Sequence, residues 1–122
     1  MKKKIFAIMA ATLSLGLTAA TNAQSIAMST EDLLTYCKGT DASFVTCEIY
    51  GQAVYDTYLV FSQHNKAPKF ICVVQPAPPR KDVIKEYVDW AVANPRFAKD
   101  PAADSILRFL GGRFPCDAPV KQ

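Results

Sequence analysis

The chain has 122 residues, half of them hydrophobic, with 14 basic and 11 acidic side chains, eight prolines, four cysteines and one histidine. That length suits one small domain, and its balanced charge offers no basic stripe for the phosphates of nucleic acid. With one histidine and no glycine-rich loop, the common nucleophile–base and phosphate-cradling chemistries lack their parts.

The first element is a leader. Lys2, Lys3 and Lys4 form a positive start, Ile5 to Leu17 an apolar run, and Thr21-Asn22-Ala23 a small-residue cleavage site before Gln24. This predicts a signal peptide over residues 1–23, cleaved near Ala23, with Ala20 and Ala27 as alternatives; it is too short for a membrane span. No cysteine follows these sites to take a lipid. Three of the 14 basic residues leave with the leader, so residues 24–122 carry 11 charges of each sign, form the single folded domain and contain no segment able to span a bilayer.

A domain this short buries only about two-thirds of its unfolded surface, so crosslinks would help it. Cys37, Cys47, Cys72 and Cys116 are an even set in an exported chain, which reads as a disulfide framework. Their spacings of 10, 25 and 44 match no zinc pattern. No metal and no cofactor are expected. Four cysteines allow three pairings.

Ser29 followed by Asp32 resembles a capping box, and Gly39 is placed to end a first helix over about 30–38. Thr40 or Asp41 can cap a second helix, whose stripe is Phe44, Cys47, Gly51, Val54, Tyr58 and Phe61. Gly51 within that stripe predicts a close backbone approach. "SQHNKAPKF" is a polar connection, and "ICVVQPAPP" must be extended because of its prolines. A third helix over about 80–93 has Pro79 at its first turn and Val83, Ile84, Tyr87, Val88 and Ala91 on one face. After "ANPRFAKDP", Asp100 caps a last helix with Pro101 at its first position. Its stripe is Ala103, Ile106, Leu107, Leu110 and Phe114, and Gly111 and Gly112 are expected to end it early. The fold class is all-α: a compact four-helix domain stapled by two disulfides.

Placed on these helices, Cys37 and Cys47 flank a tight turn, which favours Cys37–Cys47 and leaves Cys72–Cys116. His64 lies in the polar run "QHNK", and an oxidised cysteine is no nucleophile, so the chain reads as a non-enzyme. A binding role remains. Asn94, Arg96, Phe97, Lys99 and Asp100, between two prolines, form the candidate binding loop, because arginine and aromatic residues anchor interfaces. Phe97 has two equal readings, exposed anchor or staple folded onto the core, and Trp90 can face a partner or line the core.

The stretches "LLTYC", "CEIYGQAVYD" with Cys47, Tyr50 and Asp56, "IC", "NP" and "PAADSILRFL" ending in "FPC" resemble, in order and spacing, the Rap/Tai family of type VI secretion amidase immunity proteins. The resemblance covers about Ser29 to Cys116. The chain departs from the pattern at Ala53, Val74, Phe97 and Lys99. The resemblance implies a periplasmic, all-helical homodimer that binds a cognate secreted peptidoglycan amidase effector. The loop from Asn94 to Pro101 would enter the amidase groove, protecting the cell from itself and its siblings. The alternative is a periplasmic acid-stress chaperone, which would instead bind client proteins at low pH.

Overall fold

The computed structural model describes residues 27–116, so the leader and its cleavage near Ala23 lie outside the described residues. Helix α1 spans Thr30–Cys37. Ser29 starts it from an extended backbone: its Oγ accepts from the Asp32 N–H at 3.2 Å and donates to the Asp32 carboxylate at 2.6 Å. That hydroxyl satisfies one of the amide groups every helix start leaves over. Gly39 follows the helix without a left-handed backbone. A Cβ at Gly39 would run into Ser43 Oγ, so the glycine serves the closeness of the α1–α2 turn.

Helix α2 spans Asp41–His64, and Thr40 Oγ1 accepts from the Ser43 N–H at 3.3 Å. The Cys37–Cys47 disulfide closes the turn, with Cα atoms 5.2 Å apart. Gly51 meets α3 as its place in the stripe predicts: a Cβ there would lie 2.6 Å from Ile84 Cδ1. One member of the stripe is displaced. Phe61 is 68 % exposed, and Ser62 is buried in its stead. The predicted stripe repeats every 3.5 residues, whereas a straight helix repeats every 3.6, so the buried line drifts by about 20° per heptad and has passed to the next residue by the last turns.

The connection after α2 is extended. The buried Tyr58 hydroxyl accepts from the N–H groups of Phe70 and Ile71 at 2.9 and 3.0 Å. Ile71 pairs with Pro115, and the Cys72 N–H donates to the Phe114 carbonyl at 2.8 Å. The Cys72–Cys116 disulfide locks this contact, so both crosslinks have the pairing expected from the helix map.

Helix α3 spans Arg80–Ala93 behind Pro79 and buries Ile84, Tyr87 and Ala91, with Val83 and Val88 half-buried. A short 3-10 turn follows at Pro95–Phe97, and helix α4 spans Ala102–Arg113. Two expectations for α4 need correction. Pro101 is the cap residue with no side-chain cap, and Asp100 uses its carbonyl elsewhere. Nor do Gly111 and Gly112 stop the helix, which continues until the Phe114 N–H bonds to the Leu110 carbonyl. Two helical glycines cost about 1 kcal/mol each, but Gly111 lets Phe70 pack closely: a Cβ there would be 3.1 Å from its ring. The α4 stripe keeps Ile106 and Leu110 buried and packs Leu107 and Phe114 partly buried against the core, while Ala102, Ser105 and Phe109 are buried in place of Ala103.

The core lies where the four helices meet: Leu33, Cys37, Cys47, Tyr58, Ile71, Ile84, Tyr87, Ala91, Ile106, Phe109 and Leu110. The described residues are all-α apart from two isolated bridges, and no helix among them is long and apolar enough to cross a membrane.

Candidate binding loop

The loop from Asn94 to Pro101 begins where α3 can no longer continue, one residue before Pro95. Asn94 Nδ2 donates back to the Trp90 carbonyl at 2.8 Å, closing the helix end. The turn then bonds to itself: the Phe97 N–H donates to the Asn94 carbonyl, Ala98 to Pro95 and Asp100 to Phe97, all at 3.0–3.1 Å.

The far half of the loop is bound to the start of α1. The Ala98 carbonyl accepts from the Glu31 N–H at 3.0 Å, and the Asp100 carbonyl from the Thr30 N–H at 2.9 Å. In return the Ala102 N–H donates to the Met28 carbonyl at 2.8 Å, and Ser29 pairs with Pro101. With Asp32 N–H on Ser29 Oγ and Leu33 N–H on the Ser29 carbonyl, the first four amides of α1 are all satisfied. The loop is therefore a cap for α1 as well as a surface feature.

Its side chains divide accordingly. Phe97 takes the second of its two readings: the ring stacks on Trp90 with centroids 5.4 Å apart and planes 12° apart. Trp90 in turn meets Tyr87 and Phe109, so Phe97 is the outer member of an aromatic cluster reaching the core. The Arg96 and Arg108 guanidinium carbons lie 4.7 and 5.4 Å from the Phe97 centroid, within cation–π range. Arg108 is engaged by Asp104 at 2.7 Å. Lys99 pairs with Glu31, and that hydrogen bond and charge raise the pKa of its ammonium. Arg96 is exposed and enters no ion pair among the described residues. Asn94 and Asp100 are half-buried and shape the loop through the bonds above.

Sequence reading missed the residues behind the loop. Thr30 and Ser105 are buried polar side chains, and their hydroxyls lie 2.8 Å apart. Burial pushes the neighbouring Tyr87 phenol up, while hydrogen bonding with Ser105 and Thr30 pulls it part of the way back. Ser105 carried a signal in hindsight, since it shares a helix face with Ala102 and Phe109.

A second surface lies on the outward side of α2. Val45, Ile49, Val60 and Phe61 are each at least half exposed there. Beside them a groove of about 460 Å³ runs between α2, the 67–70 connection and α4, lined by Tyr50, Val54, Phe61, Phe70 and Leu107. His64 is exposed at the end of α2, and all four cysteines are oxidised, so no cysteine–histidine pair forms. Among the described residues no cluster of histidine, cysteine and carboxylates is placed to hold a metal.

Fold and site together define a small, disulfide-stapled helical protein with an ordered surface loop and exposed apolar residues on α2. The family model described as Rap1a immunity proteins matches residues 29–116, and the chain belongs to that family. Its members are immunity proteins, and their function is protection against secreted effectors. Comparison with curated proteins and with solved structures gave no match.

Proposed function

We propose that this chain is a periplasmic, non-enzymatic immunity protein. It binds a peptidoglycan amidase delivered by type VI secretion and blocks the enzyme's active-site groove, protecting against self and sibling intoxication. The observation that carries the reading is the attachment of the 94–101 loop to the first turn of α1. A flexible loop loses affinity to the entropy of ordering on binding, and this loop is already ordered by its own turn and by α1. It presents an arginine stacked on an aromatic pair, the residue types that dominate interface energetics. Export through the leader gives the oxidising compartment that two disulfides need.

The homodimer belongs to the same reading. Helix α2 exposes four large apolar side chains among polar ones such as Gln52 and Asp56, more apolar surface than a solvated helix needs. A second copy laid on Val45, Ile49, Val60 and Phe61 would provide the missing cover.

The experiment is a rescue and a binding measurement. A peptidoglycan amidase effector directed to the periplasm should lyse cells, and co-expression of this chain with its leader should prevent lysis. The purified pair should associate near neutral pH, with Arg96→Ala weakening affinity by about tenfold or more. If none of the producing cell's type VI amidases is bound or neutralised, the proposal is wrong.

A further inference from the structure

We propose that Thr30 is the positioning residue of the 94–101 loop, acting through a buried hydroxyl chain that runs from Asp100 through Thr30 and Ser105 to Tyr87. Its binding consequence rests on the loop role proposed above; its structural consequence does not.

Thr30, Ser105 and Tyr87 are 1 %, 0 % and 1 % exposed, among the most deeply buried side chains of the protein. They come from α1, α4 and α3, so one network joins three helices at the loop's base. Thr30 Oγ1 lies 3.1 Å from the Asp100 carbonyl and 2.8 Å from Ser105 Oγ. Tyr87 Oη lies 2.8 Å from the same Ser105 oxygen, and Ser105 donates to the Ala102 carbonyl at 3.0 Å.

The proton count gives the chain a direction. Ser105 has one hydroxyl proton and spends it on Ala102, so its oxygen receives Tyr87's proton and has a further lone pair for Thr30. Thr30's single proton is then shared between Ser105 and the Asp100 carbonyl. That carbonyl also receives the Thr30 N–H, so one residue holds it with both backbone and side chain.

A purely apolar seam would bury more hydrophobic surface with no polar group to satisfy. The network instead locates one carbonyl of the loop in three dimensions, because hydrogen bonds are directional and the surrounding side chains are close-packed. Asp100 is four residues from Arg96, and its N–H is bonded to the Phe97 carbonyl at the end of the self-bonded 3-10 turn that carries Arg96. Fixing Asp100 therefore fixes where Arg96 and the Phe97 ring edge are presented.

The test compares Thr30→Val, which keeps shape and removes the hydroxyl, with Thr30→Ser, which keeps the hydroxyl. Amide hydrogen exchange is measured by NMR on the purified, disulfide-intact protein. In Thr30→Val the Thr30-position, Glu31, Asp100 and Ala102 amides should exchange about fivefold to tenfold faster than in the wild type, the factor expected for one lost buried hydrogen bond. Amides in the middle of α2 should change by less than about twofold. Thr30→Ser should stay close to wild type at the loop. Should Thr30→Val not fold, Thr30→Ala provides the same comparison, since it too removes the hydroxyl that reaches Asp100. A uniform rise over α2 and loop alike would reduce Thr30 to a structural residue and overturn the proposal, as would unchanged loop exchange. Against an amidase that the wild type binds, Thr30→Val should raise the dissociation rate more than the association rate. Changed exchange without any amidase binding would leave Thr30's role standing and refute the loop's role instead.

Discussion

Replacing Phe97 by alanine should cost stability as well as binding, contrary to what an exposed loop position would suggest. A fully buried phenylalanine loses about 3–5 kcal/mol on truncation to alanine. Phe97 is half-buried, so roughly half of that applies, and its stack on Trp90 falls in the class worth about 0.5–1.5 kcal/mol beyond area. The expected loss is about 2–4 kcal/mol, which for a domain of this size lowers Tm by roughly 8–30 °C. Arg96→Ala removes an exposed guanidinium whose contact with the same ring is worth about 0.5–1 kcal/mol at most, so its Tm should fall by no more than about 8 °C. Circular-dichroism melts and urea titrations of both variants at neutral pH check this, and titration against the amidase separates affinity from folding. Arg96→Ala is then the clean probe of binding. A Phe97→Ala protein melting within about 2 °C of wild type would show that the Trp90 stack carries no weight and would refute the reasoning.

Gly51→Ala gains about 1 kcal/mol of helix propensity but pushes on Ile84 Cδ1, so alone it should be near neutral. Adding Ile84→Val removes that atom, and a double-mutant cycle by urea unfolding should show favourable coupling of about 0.5–1 kcal/mol; additivity would count against the close approach. Burial raises the Tyr87 pKa above its ordinary 10.0, so the fold keeps this contribution below about pH 10 and loses it as pH rises beyond. Tyr87→Phe should therefore be about 1 kcal/mol less stable at pH 8 yet show a shallower loss above pH 10, with Tyr55, also raised by burial, leaving a residual slope. Parallel curves for the two proteins would contradict this. Converting Cys72 and Cys116 to serine opens a 44-residue loop, and chain entropy sets the loss at up to about 4 kcal/mol by urea titration. A loss below about 1 kcal/mol would mean that the Ile71–Pro115 contact holds the tail without the crosslink.

What could be read along the chain was whatever depends on near neighbours. Helix limits followed from Ser29, Thr40 and the prolines, because caps and φ restrictions act within three or four residues. The crosslinks followed too, because Cys37 and Cys47 lie on either side of a three-residue turn, which favours their pairing among the three possible. Tertiary packing decided the rest. Whether Phe97 faced out or in depended on Trp90, seven residues away on another element, and Phe61 was turned outward by a drift too small to see in any one turn. Thr30 and Ser105 lie 75 residues apart, and each by itself looks like an ordinary polar residue near a helix start. A hydroxyl becomes a core residue only when distant partners satisfy it, and no local pattern encodes that condition.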